Sequence, residues 1–165
     1  MLLRISEIIS DSIVDGPGLR MTVFVQGCPH HCEGCHNPQT HDFSGGRDID
    51  TDEIVEKYKK NPLLDGITLS GGEPFCQAVA LLDLAKKIKA SGGNIFAYSG
   101  FTYEQLIKNV TEGSKDLLDV CDYLVDGKFI LAQRDLTLNF RGSSNQRIIN
   151  CNKTKAAGEI VIEDL

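Results

Sequence analysis

The chain has 165 residues, 41% of them hydrophobic and 24% charged, and a formal net charge of −6. This length suits one domain with its own core, so we expect a single domain over residues 1–165. The negative charge disfavours direct nucleic-acid binding, which uses a basic surface. No apolar run reaches the roughly 18–20 residues that span a bilayer, and Arg4 and Glu7 interrupt the apolar start, unlike a signal peptide. We therefore expect a cytoplasmic protein without membrane contact, whose cysteines stay reduced.

Strand and helix patterns alternate along the chain. Apolar, β-branched segments predict strands at 21–26, 66–70, 94–99, 122–126 and 159–164. Helical periodicity predicts helices at 48–60, capped by Thr51, at 78–90, ended by Gly92 and Gly93, and at 102–110. This alternation predicts an α/β fold with a mostly parallel sheet.

Unusual residues follow the first four predicted strands. The segments are "GCPHHCEGC", "GGEP", "GF" and "GK", in chain order. The carboxyl ends of parallel strands meet at one edge of a sheet. We therefore expect one active site at this edge.

Cys28, Cys32 and Cys35 form a C-x3-C-x2-C pattern. A zinc site completed by His36 or a distant cysteine is one interpretation, although structural zinc favours C-x2-C pairs. A ferredoxin-like cluster needs a fourth cysteine at regular spacing, and the next one is Cys76. A 4Fe–4S cluster with one open iron is the interpretation we favour, and unrelated thiols remain possible. Three cysteines are expected to be core or surface thiols, namely Cys76, Cys121 and Cys151.

The cysteine pattern followed by "GGE" resembles the radical S-adenosylmethionine superfamily. The resemblance implies one 4Fe–4S cluster on the three cysteines, whose open iron binds S-adenosylmethionine and cleaves it to a radical that abstracts hydrogen. It also implies a partial, open β/α barrel of the superfamily type, since a closed eight-stranded barrel needs about 250 residues.

Several residues are expected to contact the cosubstrate through this resemblance, although each also fits an ordinary strand-end turn. They are Gly34, Cys35 and His36 in the cysteine loop, Gly71, Gly72 and Glu73 in the "GGE" motif, Ser99 after the third strand, and Asp126 and Lys128. The last two resemble the D-x-K element of pyruvate formate-lyase activase. For Glu73 we expect a direct contact between its carboxylate and the cosubstrate ammonium.

Two further segments resemble activases of glycyl radical enzymes. "DGPGLR" (15–20) is similar to an N-terminal element of these activases, and "RGSSNQR" (141–147) to proteins that activate anaerobic ribonucleoside-triphosphate reductase. The resemblance implies hydrogen abstraction from a backbone glycine of that large reductase, with a flavodoxin-like or similar electron donor. Arg141 and Arg147 are expected to dock the partner.

The sequence also departs from its nearest resemblances. All four histidines lie between residues 30 and 41, so the late histidine of the formate-lyase activase is missing. Two alternatives to the reductase activase stay open. One is an activase of another glycyl radical enzyme, and the other is a small-molecule enzyme such as 7-carboxy-7-deazaguanine synthase.

Overall fold

A computed structural model describes residues 1–165, which form an open sheet of seven strands. The strands are β1 (Leu2–Ser12), β2 (Arg20–Val25), β3 (Arg47–Asp50), β4 (Gly66–Gly71), β5 (Asn94–Tyr98), β6 (Tyr123–Asp126) and β7 (Arg147–Asn150). Their spatial order is β3-β1-β2-β4-β5-β6-β7. The neighbours β2, β4, β5 and β6 are parallel, and only β1 and β7 run the opposite way. The predicted α/β fold with a mostly parallel, open sheet is confirmed.

Five helices connect and flank the strands. They are α1 (Thr51–Lys59), α2 (Ala78–Ala90), α3 (Tyr103–Ile107), α4 (Ser114–Val120) and α5 (Cys151–Ala157). The bounds of α2 match the prediction, whereas α3 is shorter than 102–110. The predicted Thr51 cap is wrong. The Asp50 carboxylate caps α1 by accepting from the Asp52 backbone N–H, and the Thr51 hydroxyl donates to Asp83 instead.

The predicted strand at 159–164 is also wrong. This segment makes only an isolated bridge between Ile149 and Ile162, beside the edge strand β7. Ile162 is largely exposed, so the apolar alternation of "EIVIED" does not mark a buried strand. Strands β1, β3 and β7 were not predicted, and they supply the antiparallel flanks of the sheet.

The two faces of the sheet differ in what covers them. All five helices contribute buried side chains to one large core on the first face, which β5 joins through Ile95 and Ala97. Phe96 belongs to a second, small cluster with Val125 and Ile148, and Tyr98 packs against it, because alternate residues of a strand point to opposite faces. The second face is therefore free of helices and available for a site. None of the helices combines the length and the apolar character that a membrane span requires.

Candidate iron–sulfur and cosubstrate site

A cavity of about 520 Å³ lies at the carboxyl ends of the parallel strands. The residues that line it come from all four strand ends: Cys28 after β2, Gly71 and Gly72 at the end of β4, Ser99 and Gly100 after β5, and Gly127 after β6. Cys32, Cys35 and His36 line the same cavity. This convergence of strand ends was predicted from the sequence, and the geometry agrees with it.

The cysteine loop is fixed at its base by backbone hydrogen bonds. Gly27 N donates to Thr40 O at 2.7 Å, and Cys28 N donates to His41 O at 3.2 Å. The Gln26 side-chain amide adds two bonds to backbone carbonyls of the returning segment. These bonds close residues 27–41 into a loop that is anchored at both ends.

The three loop cysteines provide a donor set that fits an iron–sulfur cluster. Cys28 is buried, and burial raises the pKa of its thiol to about 11. Cys32 and Cys35 are half-buried, and Cys35 Sγ accepts a hydrogen bond from Asn37 N at 3.4 Å. No three His, Cys, Asp or Glu side chains are grouped to hold a single metal ion. The thiolates of a 4Fe–4S cluster bind separate irons, so they need not meet at one point.

The remaining cysteines lie outside the cavity lining. Cys121 and Cys151 are buried in the main core. Cys76 is half-buried, and its pKa is raised to about 11 by burial and by the nearby charges of Glu73 and Cys28. Cys76 is thus near the site without facing it.

The Gly71-Gly72 turn abuts the base of the cysteine loop. Gly71 has φ +97°, and a Cβ there would lie 2.6 Å from Val25 N. A Cβ on Gly72 would lie 2.3 Å from Gly27 O. Only glycine permits these backbone approaches, so Gly71 is required where β4 ends beside β2, and Gly72 where the turn meets the base of the cysteine loop.

The Glu73 carboxylate is not placed as the sequence analysis expected. It is buried, and it accepts hydrogen bonds from His30 Nε2 (2.6 Å), Gly100 N (2.8 Å), the Ser99 hydroxyl (2.9 and 3.0 Å) and Phe75 N (3.0 Å). The carboxylate does not line the cavity. A direct ammonium contact is disfavoured because protein donors already occupy both oxygens.

His30 is a site residue that the sequence analysis did not identify. Its side chain is 6% exposed and joins the cysteine loop to Glu73. The ring packs edge-on against Phe101, with 4.6 Å between ring centroids. A Cβ on Gly100 would lie 2.4 Å from His30 Cδ2. The only signal in the sequence was the position of His30 between Cys28 and Cys32, two of the predicted cluster ligands.

Asp126, Lys128 and Arg147 do not line the cavity that contains the three cysteines. Asp126 is buried and accepts from Tyr103 N (2.8 Å) and from Arg147, which also binds Glu104. Asp126 and Arg147 therefore form an ion pair with each other. This pairing argues against the predicted role of Asp126 in cosubstrate binding and of Arg147 in partner binding. Lys128 is exposed and lines a neighbouring pocket instead.

The "DGPGLR" segment fastens the start of β2 to its neighbours. Arg20 is fully buried and donates to Thr68 Oγ1 (2.8 Å) and to the backbone oxygens of Ile67 and Asn94. Burial lowers the pKa of Arg20 to about 10. The Asp15 carboxylate accepts from the hydroxyls of Ser12 and Thr22. Within this chain the motif holds its loop against the sheet.

The "RGSSNQR" segment is a braced loop beside the cysteine loop. Gln146 Oε1 accepts from Gly142 N and Ser143 N, and Gln146 Nε2 donates to Gly127 O. Arg141 and Gly142 line the cavity. The segment thus forms part of the cavity wall, except for its last residue, Arg147, which does not line the cavity.

Comparison with known proteins agrees with these features. Residues 14–149 match the family model described as a 4Fe-4S single cluster domain, which places the chain among iron–sulfur proteins. It is 38% identical to the anaerobic ribonucleoside-triphosphate reductase-activating protein of Vibrio cholerae, over 82% of this chain and 90% of that protein. The corresponding protein of Haemophilus influenzae is 36% identical, with the same coverages. The chain belongs to this family of activating proteins.

A second group of activases also matches. The pyruvate formate-lyase-activating enzyme of Clostridium pasteurianum is 36% identical over 72% of this chain and 54% of that enzyme. The resemblance to glycyl-radical-enzyme activases that was drawn from short motifs is therefore confirmed over most of the chain.

Proposed function

We propose that this protein activates anaerobic ribonucleoside-triphosphate reductase by removing a hydrogen atom from a backbone glycine of the reductase. The single observation that carries the proposal is the meeting of the cysteine loop and the Gly71-Gly72 turn at one cavity, in a chain of this family. A small-molecule enzyme is not favoured, because the relatives are activating proteins.

Cys28, Cys32 and Cys35 hold the cluster in this proposal. Their loop is anchored at both ends and offers three thiols to one cavity, which leaves one iron without a protein ligand. The chemistry supplied there when the cluster is bound is one-electron cleavage of S-adenosylmethionine to methionine and a 5′-deoxyadenosyl radical, which takes hydrogen from the target glycine. The protein's part is to position the reactants and to exclude water.

The cosubstrate is held by the cavity wall next to the cysteines. His36 and Ser99 line this wall with the Gly71-Gly72 turn, and Gly34 allows the loop tip to approach Leu131 closely. The Ser99 hydroxyl donates to the buried Glu73 carboxylate, so Glu73 fixes the orientation of Ser99 from behind the wall. The carbonyl groups of the turn are the acceptors that we assign to the cosubstrate ammonium, in place of the Glu73 carboxylate.

The reductase completes the enclosure. Val14 lines the cavity and is 72% exposed, and its sequence neighbour Ile13 is 74% exposed. Exposed aliphatic side chains at the mouth of a site are suited to contact with another protein. A glycine-bearing loop inserted at this mouth would exclude water from the reacting atoms.

A flavodoxin-like or similar one-electron donor is the reductant in this proposal. Cys32 and Cys35 are only half-buried, so a cluster on them lies near the surface. A partner can therefore deliver electrons without entering the cavity.

The test is the dependence of cosubstrate cleavage on the reductase. The reconstituted, reduced protein is incubated with S-adenosylmethionine, with and without the reductase, and methionine and 5′-deoxyadenosine are quantified. We expect equimolar products and a marked stimulation by the reductase. Absence of cleavage under reducing conditions, or efficient turnover of a small molecule without any protein partner, contradicts the proposal.

A further inference from the structure

Arg141 has an unused hydrogen-bonding edge in the cavity wall. Its Nη1 donates to Gln146 O at 3.1 Å, whereas its Nε is shielded from solvent and has no partner. No carboxylate forms an ion pair with Arg141. Asp135, which interacts with it electrostatically, hydrogen-bonds to Thr137 instead. An unpaired guanidinium donor of this kind is costly unless a ligand satisfies it.

The position of Arg141 is fixed by its neighbours. Phe140 adopts φ +62°, a left-handed conformation that is strained for a bulky residue. Its ring packs against Phe96, with 5.9 Å between centroids. On the other side, the Gln146 brace holds Gly142 and Ser143. Strained backbone that is held in place by packing on both sides is typical of ligand-binding positions.

The wall that contains Arg141 also contacts the cysteine loop. A Cβ on Gly142 would lie 3.5 Å from His36 Cε1, and the His36 ring packs against Phe129 at 5.1 Å. Arg141 is thus adjacent in sequence to Gly142, which lies close to His36, and His36 directly follows Cys35. A ligand bound at the cysteines and against this wall comes within reach of the guanidinium.

We propose that Arg141 binds the carboxylate of the cosubstrate through its free Nε and Nη2 edge. Guanidinium matches a carboxylate in a bidentate geometry, which fixes orientation as well as charge. This inference rests on the proposed function for the identity of the cosubstrate. It replaces the partner-docking role expected from the sequence, because Arg141 belongs to the cavity wall and Arg147 does not.

The test compares ligands with and without the carboxylate. Reconstituted protein is titrated with S-adenosylhomocysteine, which has the carboxylate, and with decarboxylated S-adenosylmethionine, which lacks it. For Arg141→Gln we expect the first to bind about ten- to hundred-fold more weakly and the second to be unchanged. Arg141→Lys should recover part of the loss. The matched control is Arg134→Gln, since Arg134 is an exposed arginine that does not line the cavity and whose backbone forms a bridge with Ser143.

These binding measurements contain neither the reductase nor turnover, so they are independent of whether the partner is assigned correctly. Iron content and urea unfolding are measured for each variant to separate binding from folding. An equal loss of affinity for both ligands indicates a structural role and overturns the inference. Unchanged affinity for both ligands also overturns the inference. This holds even if the Arg141 variant binds the reductase less well, because that result would indicate a docking role instead.

Discussion

His30 Nε2 lies 2.6 Å from Glu73 Oε1, and both side chains are almost completely enclosed. This contact ties the cysteine loop to the carboxyl ends of β4 and β5, because Glu73 also accepts from Ser99 and Gly100. The pair thus connects the predicted cluster-binding residues to the predicted cosubstrate wall.

Replacing His30 by Asn should destabilise the protein and loosen the cluster. The shorter side chain leaves the buried carboxylate one hydrogen bond short, which costs about 1–3 kcal/mol. The matched control is His31→Asn, since His31 is exposed and its φ of +50° suits asparagine. Urea unfolding and the iron retained after gel filtration measure the effect. Equal behaviour of the two variants would show that the contact is dispensable.

Glu73→Gln should affect folding before it affects ligand binding. A glutamine amide directs its NH2 group towards donors that the carboxylate accepted, so at least one buried donor loses its acceptor. We expect a loss of about 1–3 kcal/mol in the free energy of unfolding without any ligand. If the variant is as stable as the parent but binds S-adenosylmethionine more weakly, the result would support the direct contact between Glu73 and the cosubstrate ammonium that was predicted from the sequence.

Gly71→Ala should be much more damaging than Gly92→Ala. Both glycines have positive φ, but a Cβ on Gly71 meets the β2 backbone, whereas a Cβ on Gly92 meets nothing within 4 Å. The strain shared by both positions is about 1–2 kcal/mol, and the clash adds to it only at Gly71. Urea unfolding compares the two. Similar losses would mean that the end of β4 tolerates a side chain.

Arg147→Met should lower the free energy of unfolding by about 3 kcal/mol, since it leaves the buried Asp126 carboxylate without its counter-ion. Arg134→Met is the exposed control.

The hydrogen bond from Arg147 lowers the pKa of Glu104. The contribution of Glu104 is therefore present above its unfolded pKa of about 4.3 and lost as the pH falls through the lower folded value. As the pH falls through this range, Arg147→Met should lose less stability than the parent protein. Equal losses would contradict the ion pair between Arg147 and Glu104.

The central strands, the long helix α2 and the meeting of motifs at one sheet edge were predictable, because they depend on local periodicity and on parallel strand geometry. Flanking strands were not. β7 has only four residues, and the apolar pattern of "EIVIED" lies beside it without extending the sheet. The sequence also did not reveal which charged side chains pair internally. Glu73, Asp126 and Arg147 are satisfied by residues up to 43 positions away, and such pairing follows from tertiary packing.

The central claim is tested most directly by electron paramagnetic resonance of the reductase after activation. The reduced, reconstituted protein is mixed with S-adenosylmethionine and anaerobic ribonucleoside-triphosphate reductase, and the spectrum is recorded. Matched variants replace Cys28, Cys32 or Cys35 by alanine, with Cys121→Ala and Cys151→Ala as controls outside the cavity. We predict a glycyl doublet that disappears with each loop-cysteine variant and when the target glycine of the reductase becomes alanine, and that persists with both controls. A doublet that survives loss of the loop cysteines, or no doublet with an intact cluster and cosubstrate cleavage, would contradict the account.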